Sequence, residues 1–341
     1  MRLAKFLNKY DTVIFDMDGV ITSENTYWDC AALTVWEYLK WNRDGSKSID
    51  TEWAEQNIKE IRARVFYGDR LISVLKGKGV NSNWDLGYVV VLLAWICSGK
   101  EYDGDFSDIL KMAENLPDNI LDAYNYLAKQ ASEKTGFDYG WLQRNELMWQ
   151  TMVEIFQEWY VGDELNGNAS MHGKKSGLIN NEQPIVDKDR LCKMLCLLSE
   201  NRRVCTGTGR PYSEMIRPLD AWDIKKYFAP DGLCNYDHVV AAEKELNNNA
   251  LTKPHPYMFL KALYGTNYDD KKLVSGGYDK SKIKTALVVG DAGADILAAH
   301  SMGADFCAVL TGINGEKARG YFEEQQSEYI LNSVLDFLEE E

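Results

Sequence analysis

The sequence predicts an α/β protein whose parallel sheet is interrupted, after its first strand, by a large all-helical insertion. Three observations lead there. The run Thr12-Val13-Ile14-Phe15 ends on Asp16-Met17-Asp18-Gly19 and reads as a buried strand of a parallel sheet. From Ser23 to about Tyr160 the apolar residues recur at helical spacing, with no convincing strand alternation. Beyond residue 185, strand-like and helix-like segments alternate, which means a sheet flanked by helices. The first strand needs neighbours in that sheet, and they arrive only after residue 200. The helical block is therefore an insertion, with the α/β core at 1–22 and 185–341 and the insertion with its return linker at 23–184.

Within the insertion, Trp28, Ala31, Ala32, Val35, Trp36 and Leu39 share one helical face. Asp50 or Thr51 can cap a second helix carrying Ile58, Ile61 and Val65. A third, around Arg70 to Leu75, is stopped by Gly77 and Gly79. Ser82 can cap a fourth, apolar on nearly every side through Val89–Trp95 and so central to a bundle. Helices near Ser107–Asn115, Asp118–Glu133 and Trp141–Tyr160 complete the block, and the Gly-, Asn- and Ser-rich stretch from Gly162 to Pro184 reads as a linker or return loop.

In the second half the pattern predicts helix Asp189–Ser199, strand Arg203–Thr208 and helix Tyr212–Trp222. A short strand His238–Ala241, helix Pro256–Leu263, strand Thr285–Val289, helix Ala294–Met302 and strand Phe306–Leu310 follow. A closing helix, a short Tyr329–Leu331 strand and a tail helix are expected at the end.

Composition narrows the function classes. The formal net charge of −14 argues against nucleic acid and anionic membrane as main partners, because both reward basic patches. An anionic small substrate stays open, since a bound cation and local lysines can reverse the sign of a site. Seven cysteines without a short regular framework suggest free thiols in a reducing compartment, and Cys192 and Cys196, four apart on a helix, read as core. Residues 1–9 lack the apolar core of a signal peptide, and Val89–Cys97 is far short of the ~20 residues of a membrane span. The expectation is a soluble, cytoplasmic protein.

Reactive groups are expected at four strand ends. The first gives Asp16 and Asp18, two carboxylates able to hold a divalent cation or to share the work of nucleophile and proton donor. A calcium loop is excluded, because its fifth, sixth and twelfth positions would be Val20, Ile21 and Tyr27. The second is Thr206-Gly207-Thr208-Gly209-Arg210-Pro211, where a hydroxyl and backbone N–H groups could hold an anion's oxygens. The third is Lys253-Pro254-His255-Pro256, a lysine in a rigid loop before a helix. The fourth is Gly290-Asp291-Ala292-Gly293-Ala294-Asp295. Singly each has an ordinary structural use as turn, cap or solvated cation. Together, around one crevice, they form a site.

In this order the segments resemble the four motifs of the haloacid dehalogenase-like (HAD) hydrolase superfamily, on both sides of the insertion. The resemblance implies a Rossmann-like core, and the insertion is similar to the C1 type of helical cap found in subfamily I, though larger than usual. It implies Asp16 as the nucleophile that forms an aspartyl-phosphate, and Asp18 as the acid and base for the leaving oxygen and the water. It implies Mg²⁺ held by Asp16, the Asp18 backbone carbonyl and Asp291. Thr208 and Gly209, with Lys253, would bind the phosphoryl group, and Asp295 would anchor Lys253 or the metal's water shell. Thr206 is the rival of Thr208. Dehalogenases lack the second aspartate and phosphonatases carry a small residue there, so Asp18 points to C–O–P chemistry. The expected function is a Mg²⁺-dependent phosphatase for a small phosphorylated metabolite. The alternatives are a sugar phosphomutase and a non-catalytic ligand-binding member; a DxD-type glycosyltransferase explains neither Lys253 nor the Asp291/Asp295 pair. Substrate contacts from the insertion are expected in the Lys76–Trp84 loop, with Arg64 and Arg70 as further candidates.

Overall fold

The computed structural model describes residues 1–44, 49–80, 82–102, 106–117, 120, 123–248 and 250–339. It divides into two compact units, one of residues 1–24 and 182–341 and one of residues 25–181.

The first unit is built on a six-stranded parallel sheet. Its strands are β2 (Thr12–Phe15), β3 (Arg203–Gly207), β4 (Leu233–Cys234), β5 (Ala286–Gly290), β6 (Asp305–Val309) and β7 (Tyr329–Leu331), in the spatial order β4-β3-β2-β5-β6-β7. A separate antiparallel pair, β1 (Arg2–Leu3) with β8 (Leu338–Glu339), joins the two ends of the chain. Strand β2 lies between β3 and β5, with Phe15 opposite both Thr206 and Val289. Sheet order reverses at β2, and in such sheets ligands bind in the crevice outside the carboxyl ends of the strands at that point. Apolar clusters cover both faces, one including Val13 and Phe15 and the other Ile14, so alternate residues of β2 serve opposite layers. Each such side chain taken from water contributes about 1.5–3 kcal/mol.

Two predicted elements are corrected. Residues 238–241 are not a strand but part of the helix Tyr236–Leu246. Asn235 caps that helix by accepting from the Asp237 and His238 N–H groups. Val239 is buried and Val240 is 45% exposed, so a β-favouring run serves here as one helical turn. The expected tail helix is a 3₁₀ turn, Val334–Phe337, followed by β8, which gains a partner in β1 that only tertiary structure supplies.

The second unit is helical among its described residues. The long helix Asn25–Asp44 packs against Ile58–Val65, Asn83–Ser98 and Leu147–Val161. Ser82 accepts from Asp85 N–H, as its capping position predicts. Asp50 accepts from Trp53 N–H, but the helix it caps, Thr51–Gln56, ends at Asn57, and Ile58, Ile61 and Val65 stand on a separate helix, Ile58–Val65. Asn83–Ser98 is buried on every side from Asp85 to Trp95. The expected helix 141–160 is broken into Tyr139–Leu142 and Leu147–Val161, with Asn145 between them at positive φ. The expected Asp118–Glu133 helix is Tyr124–Thr135, and residues 118, 119, 121 and 122 lie outside the described residues. No described helix is long and apolar enough to cross a membrane, and all seven cysteines are free thiols.

Candidate active site

Asp16 follows the last residue of β2, and its backbone N–H donates to Val289 O at 2.9 Å, continuing the β2–β5 ladder. The site's carboxylate is thus presented by backbone bonding and not by a free loop. Asp291 follows β5, and Asp295 lies in the first turn of the helix Gly293–Met302, accepting from Ala292 N–H at 3.2 Å. Lys253 is not at a strand end. It stands in the loop between the helices Tyr236–Leu246 and Tyr257–Tyr264, which carries it back over β2. Its Nζ lies 2.7 Å from Asp16 Oδ1 and 2.8 Å from Asp295 Oδ1.

The electrostatics of this group are unbalanced. Single carboxylate oxygens of Asp16, Asp291 and Asp295 lie within 4.8 Å of one another, with one lysine among them. Burial pushes the Asp16 carboxyl above its ordinary range; Lys253 pulls it down, while Asp295 and Asp18 push it up again. Asp291 is raised well above the usual range, first by burial and then by Asp295, Asp16 and Glu24. Burial alone would lower the Lys253 ammonium, but Asp16 and Asp295 outweigh it and the net shift is upward. A cluster of hard oxygen donors whose mutual repulsion opposes their ionisation is chemically suited to a divalent cation.

Two glycines frame Asp291. A Cβ on Gly19 would lie 2.2 Å from Asp291 Oδ2, and one on Gly312 would lie 2.0 Å from the same atom. Gly19 also has φ +74°, in the left-handed region that favours glycine. Thr311 donates through its hydroxyl to Gly19 O at 2.5 Å and closes the loop after β6 onto the loop after β2. Residues 311 and 312 were missed in the sequence, where Thr-Gly after a strand resembles an ordinary turn.

The rival threonines differ in how their hydroxyls are used. Thr206, within β3, donates its proton to Phe15 O at 2.9 Å. Thr208, one residue past the strand, accepts from Arg210 N–H at 3.2 Å, which occupies a lone pair and not the hydroxyl proton. Beside it, a Cβ at Gly209 would meet nothing within 4 Å, so the backbone there is accessible. Asp18 does not join the three clustered aspartates. Its carboxylate is bound by Arg210, with Nη2 at 2.6 Å from Oδ1 and Nε at 3.1 Å from both oxygens, and by the Thr22 hydroxyl at 3.0 Å. In the sequence Arg210 reads only as part of a strand-to-helix exit.

The candidates from the insertion lie in the helical unit. Trp84 packs edge-on to Trp149 with ring centroids 6.1 Å apart, and Lys78 Nζ donates to Leu116 O at 2.7 Å. Asn81 of the same loop lies outside the described residues. Arg64 lines a cavity of about 230 Å³ with Trp36, Trp53, Tyr102 and Phe106, and Arg70 lies over the Tyr67 ring at 5.6 Å.

Comparison with known proteins bears on this arrangement. The HAD-hydrolase-like family model matches residues 250–337, which contain Lys253, Asp291 and Asp295. A crystal structure solved as a Northeast Structural Genomics Consortium target is 26% identical, with a TM-score of 0.79 over 96% of this chain and 97% of that one. Phosphatase Tt82 from Thermococcus thioreducens is 19% identical with a TM-score of 0.49, over 86% of this chain and 90% of that one. The haloacid dehalogenase-like family hydrolase SP0104 from Streptococcus pneumoniae is 13% identical with a TM-score of 0.41, over 96% and 97%. Likenesses as weak as the last two bear on neither fold nor chemistry. No curated protein matches the chain. The family match thus falls on the segment that carries Lys253, Asp291 and Asp295, and over these residues the chain is similar to the haloacid dehalogenase-like hydrolases.

Proposed function

We propose that the protein is a Mg²⁺-dependent phosphatase of small phosphorylated metabolites that works through an aspartyl-phosphate on Asp16. The observation that carries this reading is the Lys253 bridge, 2.7 Å from Asp16 Oδ1 and 2.8 Å from Asp295 Oδ1, within a cluster of three carboxylates. Binding one oxygen of Asp16 fixes the carboxylate plane and favours its ionised form, leaving Oδ2 as the nucleophile. As Oδ2 bonds to phosphorus, the ester P–O bond breaks in line and Asp18 supplies a proton to the departing oxygen. Water then attacks the aspartyl-phosphate, Asp18 takes up its proton, and phosphate leaves.

Thr208 and the Gly209 N–H would hold phosphoryl oxygens, and the Lys253 charge would offset theirs, since phosphoryl transfer gains mostly from positioning and charge stabilisation. Asp16, the Asp18 carbonyl and Asp291 would hold Mg²⁺, which would supply charge neutralisation for the phosphoryl transfer. Asp295 keeps Lys253 aligned. Asp18 in the second position favours phosphate esters over halides and phosphonates as substrates.

The test is phosphate release from a panel of phosphorylated metabolites, with Mg²⁺ and with EDTA, for the wild type and Asp16→Asn. Metal-dependent release that vanishes in the variant is the expected result. No release from any member by a folded, Mg²⁺-binding protein would refute the phosphatase reading, and transfer within a sugar phosphate would replace it with a mutase.

A further inference from the structure

Arg210 is buried, with a side chain 1% exposed, and it is anchored independently of Asp18. Its Nη1 donates to Glu182 Oε2 at 2.8 Å, where the Glu182 side chain is also 1% exposed, and to Glu214 O at 3.2 Å. Its backbone is fixed as well: N–H donates to the Thr208 hydroxyl and its carbonyl accepts from Tyr236 N–H at 2.8 Å. The remaining face of the guanidinium points to Asp18 through Nη2 and Nε, and Nη2 also donates to the Thr22 hydroxyl at 3.0 Å. Thr22, fully buried, in turn donates to Asp18 Oδ1 at 3.0 Å. Asp18 is the most exposed member of this set, with a side chain 30% exposed. A planar guanidinium that is itself held on the far side imposes both distance and orientation on the carboxylate it binds.

We propose that Arg210 is the positioning residue of Asp18: anchored by Glu182, it sets, with Thr22, where the proton-transferring carboxylate stands relative to the ester oxygen. This rests on the phosphatase reading, in which Asp18 exchanges a proton with the leaving group. Arg210 lies two residues after Thr208, so one short segment aligns the phosphoryl contact and the proton donor together. The geometry also explains why Asp18 stands apart from the cluster of Asp16, Asp291 and Asp295.

Proton donation matters most when the leaving group is a poor one. An alkyl alcohol needs the proton, whereas p-nitrophenolate departs without it. The experiment compares kcat for the best alkyl monoester of the panel with kcat for p-nitrophenyl phosphate. It uses the wild type, Arg210→Lys, which keeps a charge beside Glu182 but cannot span Glu182, Asp18 and Thr22, and Thr22→Val, which removes only the hydroxyl. Arg210→Lys is expected to lower kcat for the alkyl ester by about tenfold or more, within the range general acid catalysis supplies, while p-nitrophenyl phosphate is much less affected. Thr22→Val shifts the ratio the same way by a smaller factor. Equal losses on both substrates in Arg210→Lys would overturn the proposal and leave Arg210 a structural residue. A folded wild type that cleaves neither ester would instead refute the phosphatase reading, and the role of Arg210 with it.

Discussion

Each unit holds a lysine between two carboxylates, and the two clusters are built differently. In the α/β unit Lys253 lies between Asp16 and Asp295, with the Lys253 and Asp16 side chains 13% and 12% exposed. In the helical unit Lys175 lies 2.9 Å from Glu37 Oε2 and 2.6 Å from Glu158 Oε2, its side chain fully enclosed and 4.8 Å from the centroid of the Trp159 ring. His172 Nδ1 adds a contact to Glu37 at 2.8 Å. The helical cluster is a closed clamp that ties the return segment to the helices Asn25–Asp44 and Leu147–Val161. The core cluster has an additional carboxylate, Asp291, partial access to solvent, and two of its carboxylates, Asp16 and Asp291, directly after strand ends. Surplus like charge and access, more than pairing, distinguish the core cluster from the helical clamp.

Four substitutions would break or sharpen this contrast. Asp16→Asn is the largest: loss of a nucleophile removes on the order of 10⁶-fold in kcat, read by phosphate release. Residual activity within tenfold of wild type would remove Asp16 from the mechanism. Lys175→Met strands two buried glutamates and should cost about 3–5 kcal/mol of unfolding free energy, measured by urea denaturation. A loss below about 1 kcal/mol would mean that the clamp is not structural. Lys253→Met should lower kcat by about 10²–10³-fold by removing charge stabilisation. It also leaves three carboxylates with no cation among them, so Mg²⁺ should raise its Tm more than that of the wild type, while Lys175→Met responds to Mg²⁺ as the wild type does. Equal Mg²⁺ responses in both lysine variants would erase the distinction. Gly312→Ala is the smallest: its Cβ displaces the Asp291 carboxylate and should weaken Mg²⁺ binding roughly tenfold by calorimetric titration. Unchanged affinity would show that Asp291 moves without consequence.

What was legible in the sequence is what local chemistry dictates. The apolar strand before Asp16, the alternation after residue 185, and the capping oxygens of Asp50 and Ser82 each act over a few residues, so one stretch of sequence contains both cause and effect. Val239–Ala241 misled because β-branched character is a weak prior that a capped helix overrides. The Gly162–Pro184 segment reads as a linker or return loop, yet His172 and Lys175 within it are buried polar groups. Their shared partner Glu37 lies on a helix 135 and 138 residues away. Arg210 was invisible as a partner of Asp18 for the same reason, being 192 residues away. Glycines 19 and 312 matter for what they leave out, and only the position of Asp291 reveals it.

The central claim is a covalent phosphoryl group on Asp16. The most direct measurement is borohydride reduction of the enzyme during turnover of its best phosphate ester, followed by peptide mass mapping. An acyl phosphate is reduced where a free carboxylate is not. The account predicts homoserine at position 16 in the wild type, dependent on substrate and Mg²⁺ and absent after EDTA. An enzyme that releases phosphate under the same conditions with Asp16 unmodified, or with the label on another carboxylate, would contradict it.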